Sequence, residues 1–325
     1  MNINKWSNDL KNQREKIFFP IVTYPGLQIT GHSINEATHS GEVQFECMKA
    51  LNKQFPKMPA LPMSMDLSLE AEAFGASVKF SNDEVPTITG RVINSYDQIA
   101  TLAVPQANTP RINEFIKAAE LAAVANFGKP VFSGCIGPFS LAGRLLDITE
   151  IMMGLLMYPD EVNKLVEIST RFITNYLKKL KATGVDGVIM AEPAAGLLDE
   201  SQCEEFSSQY IRKIVNEIQD DSFMLMLHNC GNTETLVKSM LGTGAAALHF
   251  GNAVNMKDIL SQVPADVLVF GNLDPANLIK NGSPESIKTA VKNLRNETAQ
   301  YNNFILSSGC DIPPGTPMEN IEALF

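Results

Sequence analysis

From residue 131 onward, short apolar runs alternate with longer stretches whose apolar positions recur at helical spacing. The runs Val131–Cys135, Asp186–Met190, Phe223–His228, Ala245–Phe250, Val267–Gly271 and Phe304–Ser307 predict strands. Between them, Asp147–Gly184 predicts one or two helices broken near Pro159. Further helices are expected at Ser201–Ile218, Glu234–Leu241, Met256–Val263 and Pro284–Tyr301. Upstream, an N-terminal helix precedes an apolar run at Phe18–Thr23. Glu42–Phe55 then reads as an amphipathic helix with Phe45, Met48, Leu51 and Phe55 on its apolar face. Ala60–Met65 reads as a strand, Asp66–Glu72 as an acidic helix start, Ser81–Val92 as a loop or irregular β segment, and Asn113–Phe127 as a helix.

Strand, helix, strand, helix with short loops implies a parallel sheet with right-handed crossovers. With Phe18–Thr23 and Ala60–Met65 the strand count approaches eight, which favours a closed barrel over an open sheet. No Gly-x-Gly-x-x-Gly follows any strand, so the dinucleotide fold lacks its main signature. No linker divides the chain. The expectation is an α/β fold, a single (β/α)8 TIM-type barrel over residues 1–325 with an N-terminal helical extension.

The formal net charge of −10, with no basic cluster, argues against nucleic acid and anionic membranes as partners. No apolar window is long enough for a transmembrane helix, and Met1–Lys16 has no signal-peptide character. Five cysteines are sparse and odd in number, which suggests a reducing, cytoplasmic compartment and thiols kept for packing or metal.

In a barrel, chemistry gathers where strands end at their C-termini. Here Glu192, His228, Cys230, His249, Asp274 and Cys310 all fall at or just past such ends. His228 and Cys230 are two residues apart, so an extended chain points both side chains the same way. One imidazole and two thiols would leave the fourth position of a zinc ion open, as in catalytic sites. His-x-Cys alone is a weak pattern, and spacing leaves open a second reading, ordinary buried cysteines beside a hydrogen-bonded histidine. Glu192 is a candidate fourth ligand or else pairs with a nearby donor. Cys135 is an alternative ligand. His249 reads as pocket lining more than as a partner of a ligand, and Asp274 as either an orienting carboxylate or a turn former before Pro275. Cys47 and Cys203 fall in helices and read as packing residues.

Several segments together resemble the uroporphyrinogen decarboxylase superfamily, and within it the methylcobalamin:coenzyme M methyltransferase branch. They are Met65–Phe74, Val85-Pro86-Thr87, Gly137–Ser140, His228–Gly231, Gly271–Pro275 and Ser308–Pro314, with Thr316, Pro317, Glu319 and Asn320 behind the last. The resemblance implies Zn²⁺ on His228, Cys230 and Cys310, and a methyl group passed from methylcobalamin on a corrinoid protein to a small thiol such as coenzyme M. It also admits transfer to tetrahydrofolate, a non-catalytic corrinoid- or tetrapyrrole-binding protein, or a decarboxylase-like lyase. The decarboxylase itself uses an arginine-rich N-terminal motif, whereas Phe18–Ser33 holds no arginine and Arg14 stands alone before it.

Overall fold

The computed structural model describes residues 1–13 and 16–325; Arg14 lies outside the described residues. Strands β1 (Leu61–Pro62), β2 (Ser77–Lys79), β3 (Thr87–Thr89), β4 (Val131–Ile136), β5 (Gly187–Ala191), β6 (Met224–Asn229), β7 (Ala247–Phe250), β8 (Leu268–Leu273) and β9 (Phe304–Ser308) follow in chain order. Seven of them form one parallel sheet, β1-β4-β5-β6-β7-β8-β9, while β2 and β3 make a separate antiparallel hairpin. Phe18 bridges in parallel to Leu306 of β9, and the Phe19 N–H donates to the Leu306 carbonyl at 2.8 Å. The chain after the N-terminal helix thus takes the remaining place in a TIM-type barrel.

Strands buried on both faces must send alternate residues inward and outward. Phe132, Ile189, Met224, Met226, Ala247, Leu268, Phe270 and Ile305 pack in one cluster with Phe19, Ile21 and Ala60, which is the barrel interior. The intervening residues, such as Val188, Leu225, Leu248 and Val269, join the larger core shared with the outer helices. The N-terminal helix Ile3–Lys11 contributes Ile3, Trp6 and Leu10 to the interior cluster. Its anchors lie just before strands: Trp6 Nε1 donates to the Pro59 carbonyl at 3.1 Å, and Ile3 N to the Asp221 carbonyl at 3.1 Å. This helix therefore plugs the N-terminal end of the barrel and leaves the C-terminal end for the loops that carry the candidate chemistry.

The run Phe18–Thr23 is less regular than its composition predicts. Pro20 has no N–H, and Ile21 N donates to Ser308 Oγ at 3.0 Å instead of to a ladder carbonyl. Ser81–Val92 supplies β3 of the hairpin. The helix expected at Ser201–Ile218 is continuous but contains a π-helical turn at Glu204–Ser208. The break near Pro159 separates helices Ile148–Met157 and Pro159–Ala182. A helix at Pro138–Leu146, packed directly after β4, has no counterpart in the periodicity, since eight of its nine residues are buried.

Candidate metal centre

The period of two along β6 turns Met224, Met226 and His228 to the barrel interior, and Cys230 follows just past the strand end. Across the barrel, β9 ends at Ser308 and the next turn delivers Cys310. One ligand atom each from His228, Cys230 and Cys310 lies within 4.8 Å of the others. His228 is buried and the two cysteines are partly exposed, so the group sits at the floor of the mouth with its thiols toward the opening.

Local packing fixes the Cys230 turn. Asn229 donates through Nδ2 to the Glu192 carbonyl at 2.7 Å and accepts through Oδ1 from Gly231 N at 2.8 Å. Gly251, after β7, lies so close that a Cβ there would come within 2.5 Å of Cys230 Cα. Only glycine allows that approach without displacing the turn.

The two thiols are not equivalent. Cys310 at hydrogen-bonding range, and then the His228 ring, hold the Cys230 thiol well below its usual range. The Cys230 thiol and burial push Cys310 in the opposite direction. One thiolate therefore forms more readily than the other.

The His228 ring meets the His249 ring with its Nδ1 at 2.8 Å from His249 Nδ1, and His228 Nε2 is buried without a hydrogen-bond partner. A histidine with one orphaned ring nitrogen, standing within 4.8 Å of two sulfurs, matches the nitrogen-plus-sulfur donor set of zinc. Tetrahedral Zn–S bonds of about 2.3 Å and Zn–N bonds of about 2.0–2.1 Å are compatible with ligand atoms that lie within 4.8 Å of one another.

The other sequence candidates lie elsewhere at the same end of the barrel. Glu192 is not among the convergent ligands. Its carboxylate accepts from Phe139 N at 2.8 Å, Ser140 N at 3.0 Å and Ser207 Oγ at 3.0 Å. It thus anchors the start of helix Pro138–Leu146, where free N–H groups favour a carboxylate. Asp274 caps its own π-helical turn through Ala276 N and Asn277 N and touches no histidine. Cys135 is buried on the outward face of β4, its thiol pushed up by burial. Cys47 and Cys203 are buried in helices. His249, read from sequence as lining, is instead in direct contact with His228.

Residues that sequence reasoning passed over are Asn229, Gly251, Ser307, Thr23 and Asp311. Thr23 Oγ1 donates to Asp311 Oδ2 at 2.5 Å, and burial raises the Asp311 carboxyl to about 7. For Ser307 a signal existed, because it falls two residues after inward-facing Ile305. A surface cleft of about 890 Å³ lies between outer helices near Glu204, Arg212 and Lys238 and includes none of the candidate ligands.

Comparison with known proteins agrees with this architecture. The methylcobamide:CoM methyltransferase of Methanosarcina mazei is 28% identical over 271 residues, covering 82% of this chain and 78% of that one. A methylated-thiol–coenzyme M methyltransferase from the same organism is 26% identical over 261 residues, 79% of this chain and 69% of that one. The solved structure of a methyltransferase from Methanosarcina mazei superposes with a TM-score of 0.86 at 19% identity, covering 99% of this chain and 96% of that chain, which shows a shared fold. The family model for uroporphyrinogen decarboxylase (URO-D) matches residues 24–325, and the chain belongs to that family.

Proposed function

We propose that this protein is a zinc-dependent methyltransferase that moves a methyl group from a methylcorrinoid, methylcobalamin held on a partner corrinoid protein, to a small thiol such as coenzyme M. The observation that carries the reading is the convergence of His228, Cys230 and Cys310, with His228 Nε2 unpartnered. The names of the relatives support corrinoid-to-thiol methyl transfer.

The chain's own residues would act as follows. His228 Nε2, Cys230 Sγ and Cys310 Sγ would hold the metal. Zinc bound there would supply a binding position at which a substrate thiol ionises near neutral pH. Two cysteinates and a neutral imidazole offset the dication's formal charge, so the acceptor sulfur keeps its electron density. Three neutral histidines would leave a cationic centre suited to activating water instead. Asn229 and Gly251 fix the Cys230 turn, and the N-terminal helix closes the far end of the barrel. The methyl donor must therefore approach through the mouth, methyl carbon toward the acceptor sulfur.

Methylcobalamin offered with a panel of thiols tests the proposal. Demethylation should require both a thiol and zinc, and removing the zinc with a chelator should abolish it. Equal demethylation by the zinc-free protein, or transfer only to tetrahydrofolate, would refute it.

A further inference from the structure

We infer that His249 is a positioning residue whose own orientation is set by Ser307 and the Phe19 carbonyl, and that this chain fixes His228 in the tautomer that can bind metal. The inference rests on the reading of His228 as a ligand.

Ser307 Oγ lies 2.6 Å from the Phe19 carbonyl oxygen, to which it donates, and 3.0 Å from His249 Nε2. Both Ser307 and His249 are fully buried. A hydroxyl has a single proton. If Ser307 gave it to His249, the buried Phe19 carbonyl would lose its side-chain partner, which is costly for a buried acceptor. With that proton on the carbonyl, the contact with His249 needs the hydrogen on Nε2. His249 therefore donates from Nε2 to Ser307 Oγ. His249 is fully buried, and its ring partners are the Ser307 hydroxyl and the His228 imidazole, neither of which carries a negative charge to balance a second proton, so the ring stays neutral. Its Nδ1 is then a lone pair.

That lone pair lies 2.8 Å from His228 Nδ1. The contact requires a proton, and His228 must supply it from Nδ1. The consequence falls on the other side of the His228 ring, where Nε2 presents a lone pair toward Cys230 and Cys310. The pairing arises from sheet register, because His228 of β6 and His249 of β7 are direct partners in the ladder and both face inward. An imidazole that accepts from a ligand histidine without carrying charge is unlike the carboxylates that often fill this place. It orients the ring and leaves the formal charge at the site to the two cysteinates.

The chain contains only four histidines, two of them at His32 and His39 outside this network, so ring nitrogens can be assigned by NMR from single substitutions. Long-range proton–nitrogen spectra of the reduced protein should show His249 protonated at Nε2 and unprotonated at Nδ1. In the zinc-loaded protein, His228 should be protonated at Nδ1, with nitrogen–nitrogen coupling to His249 across the shared hydrogen. His249 protonated at Nδ1 would overturn the inference, whatever the metal content. Zinc affinity, measured by competition with a chromophoric chelator, supplies the second readout. His249→Phe keeps the ring's bulk and removes the acceptor, and should weaken zinc binding about 10- to 100-fold. His249→Gln can still accept from His228 Nδ1 and should recover most of that loss. Zinc binding by His249→Phe as tight as in the unsubstituted protein would also overturn it. Should that variant fail to fold, the tautomer of His249 in the unsubstituted protein decides alone. The correct tautomer in a protein that takes up no zinc would instead count against the proposed function.

Discussion

Two residues that share one strand parity, His228 and Cys230, meet a third, Cys310, from a strand end on the other side of β7 and β8. The first two were readable from sequence because strand period dictates their common direction. Their nearness to Cys310 was not, since it depends on curvature of the sheet and on the turn after β9. Replacing Cys310 with Ala should leave the far-ultraviolet circular dichroism unchanged, because the barrel core lies below the site. Zinc affinity should fall by more than about 100-fold, the upper range for losing a mere supporting contact, and methyl transfer should fall with it. Loss of the fold would instead make the metal structural. A different residue carries a pH dependence. Burial raises the Glu70 carboxyl from 4.5 to about 7, and its Oε2 is unpartnered while Oε1 accepts from Ile136 N. Between those values the folded protein holds a proton that the unfolded chain releases. Stability from this group is therefore present below the unfolded pKa and is lost as pH rises through about 7. Glu70→Gln mimics the protonated acid and should remove that loss. Relative to the unsubstituted protein it should gain up to about 3 kcal/mol between pH 4.5 and 8 in urea unfolding, from about 2.5 units at 1.36 kcal/mol each.

At the scale of elements, strands were the most legible features and their closure the least. The runs from Val131 to Ser307 match β4 to β9 within a residue or two, because parallel barrel strands are apolar on both faces. The His228–His249 contact was not legible, since strand pairing register leaves no mark on either strand alone. Glu192 illustrates the same limit. A buried carboxylate at a strand end suits a metal or a helix N-terminus equally, and only the position of helix Pro138–Leu146 decides for the helix. Helix Ile3–Lys11 was foreseen as an extension, but its burial inside the barrel end was not. Trp6 packs against Phe132 with ring centroids 5.5 Å apart and is about nine-tenths buried. Trp6→Ala should cost about 3–5 kcal/mol in chemical denaturation. Because the plug lies at the end opposite the thiols, zinc stoichiometry of the folded variant should stay unchanged. A large loss of zinc at full folding would show that the two ends are not independent.

Across the whole molecule, composition narrows the range of partners and the barrel supplies a polarity. The chain carries a net charge of −10, and among the described residues no helix is long and apolar enough to cross a membrane. The plugged end holds the apolar interior together, while the other end gathers one imidazole, two thiols and a supporting histidine. On the proposed function, this second end is a nitrogen-and-sulfur metal centre with a place for a substrate thiol. Zinc K-edge X-ray absorption on the purified protein, with and without acceptor thiol, tests it most directly. One zinc per chain is expected, with two sulfurs at about 2.3 Å and one imidazole nitrogen at about 2.0–2.1 Å. Addition of the thiol should bring in a third sulfur. A protein that retains no zinc, a shell of oxygen and nitrogen alone, or a sulfur count that stays at two when thiol is added would contradict it.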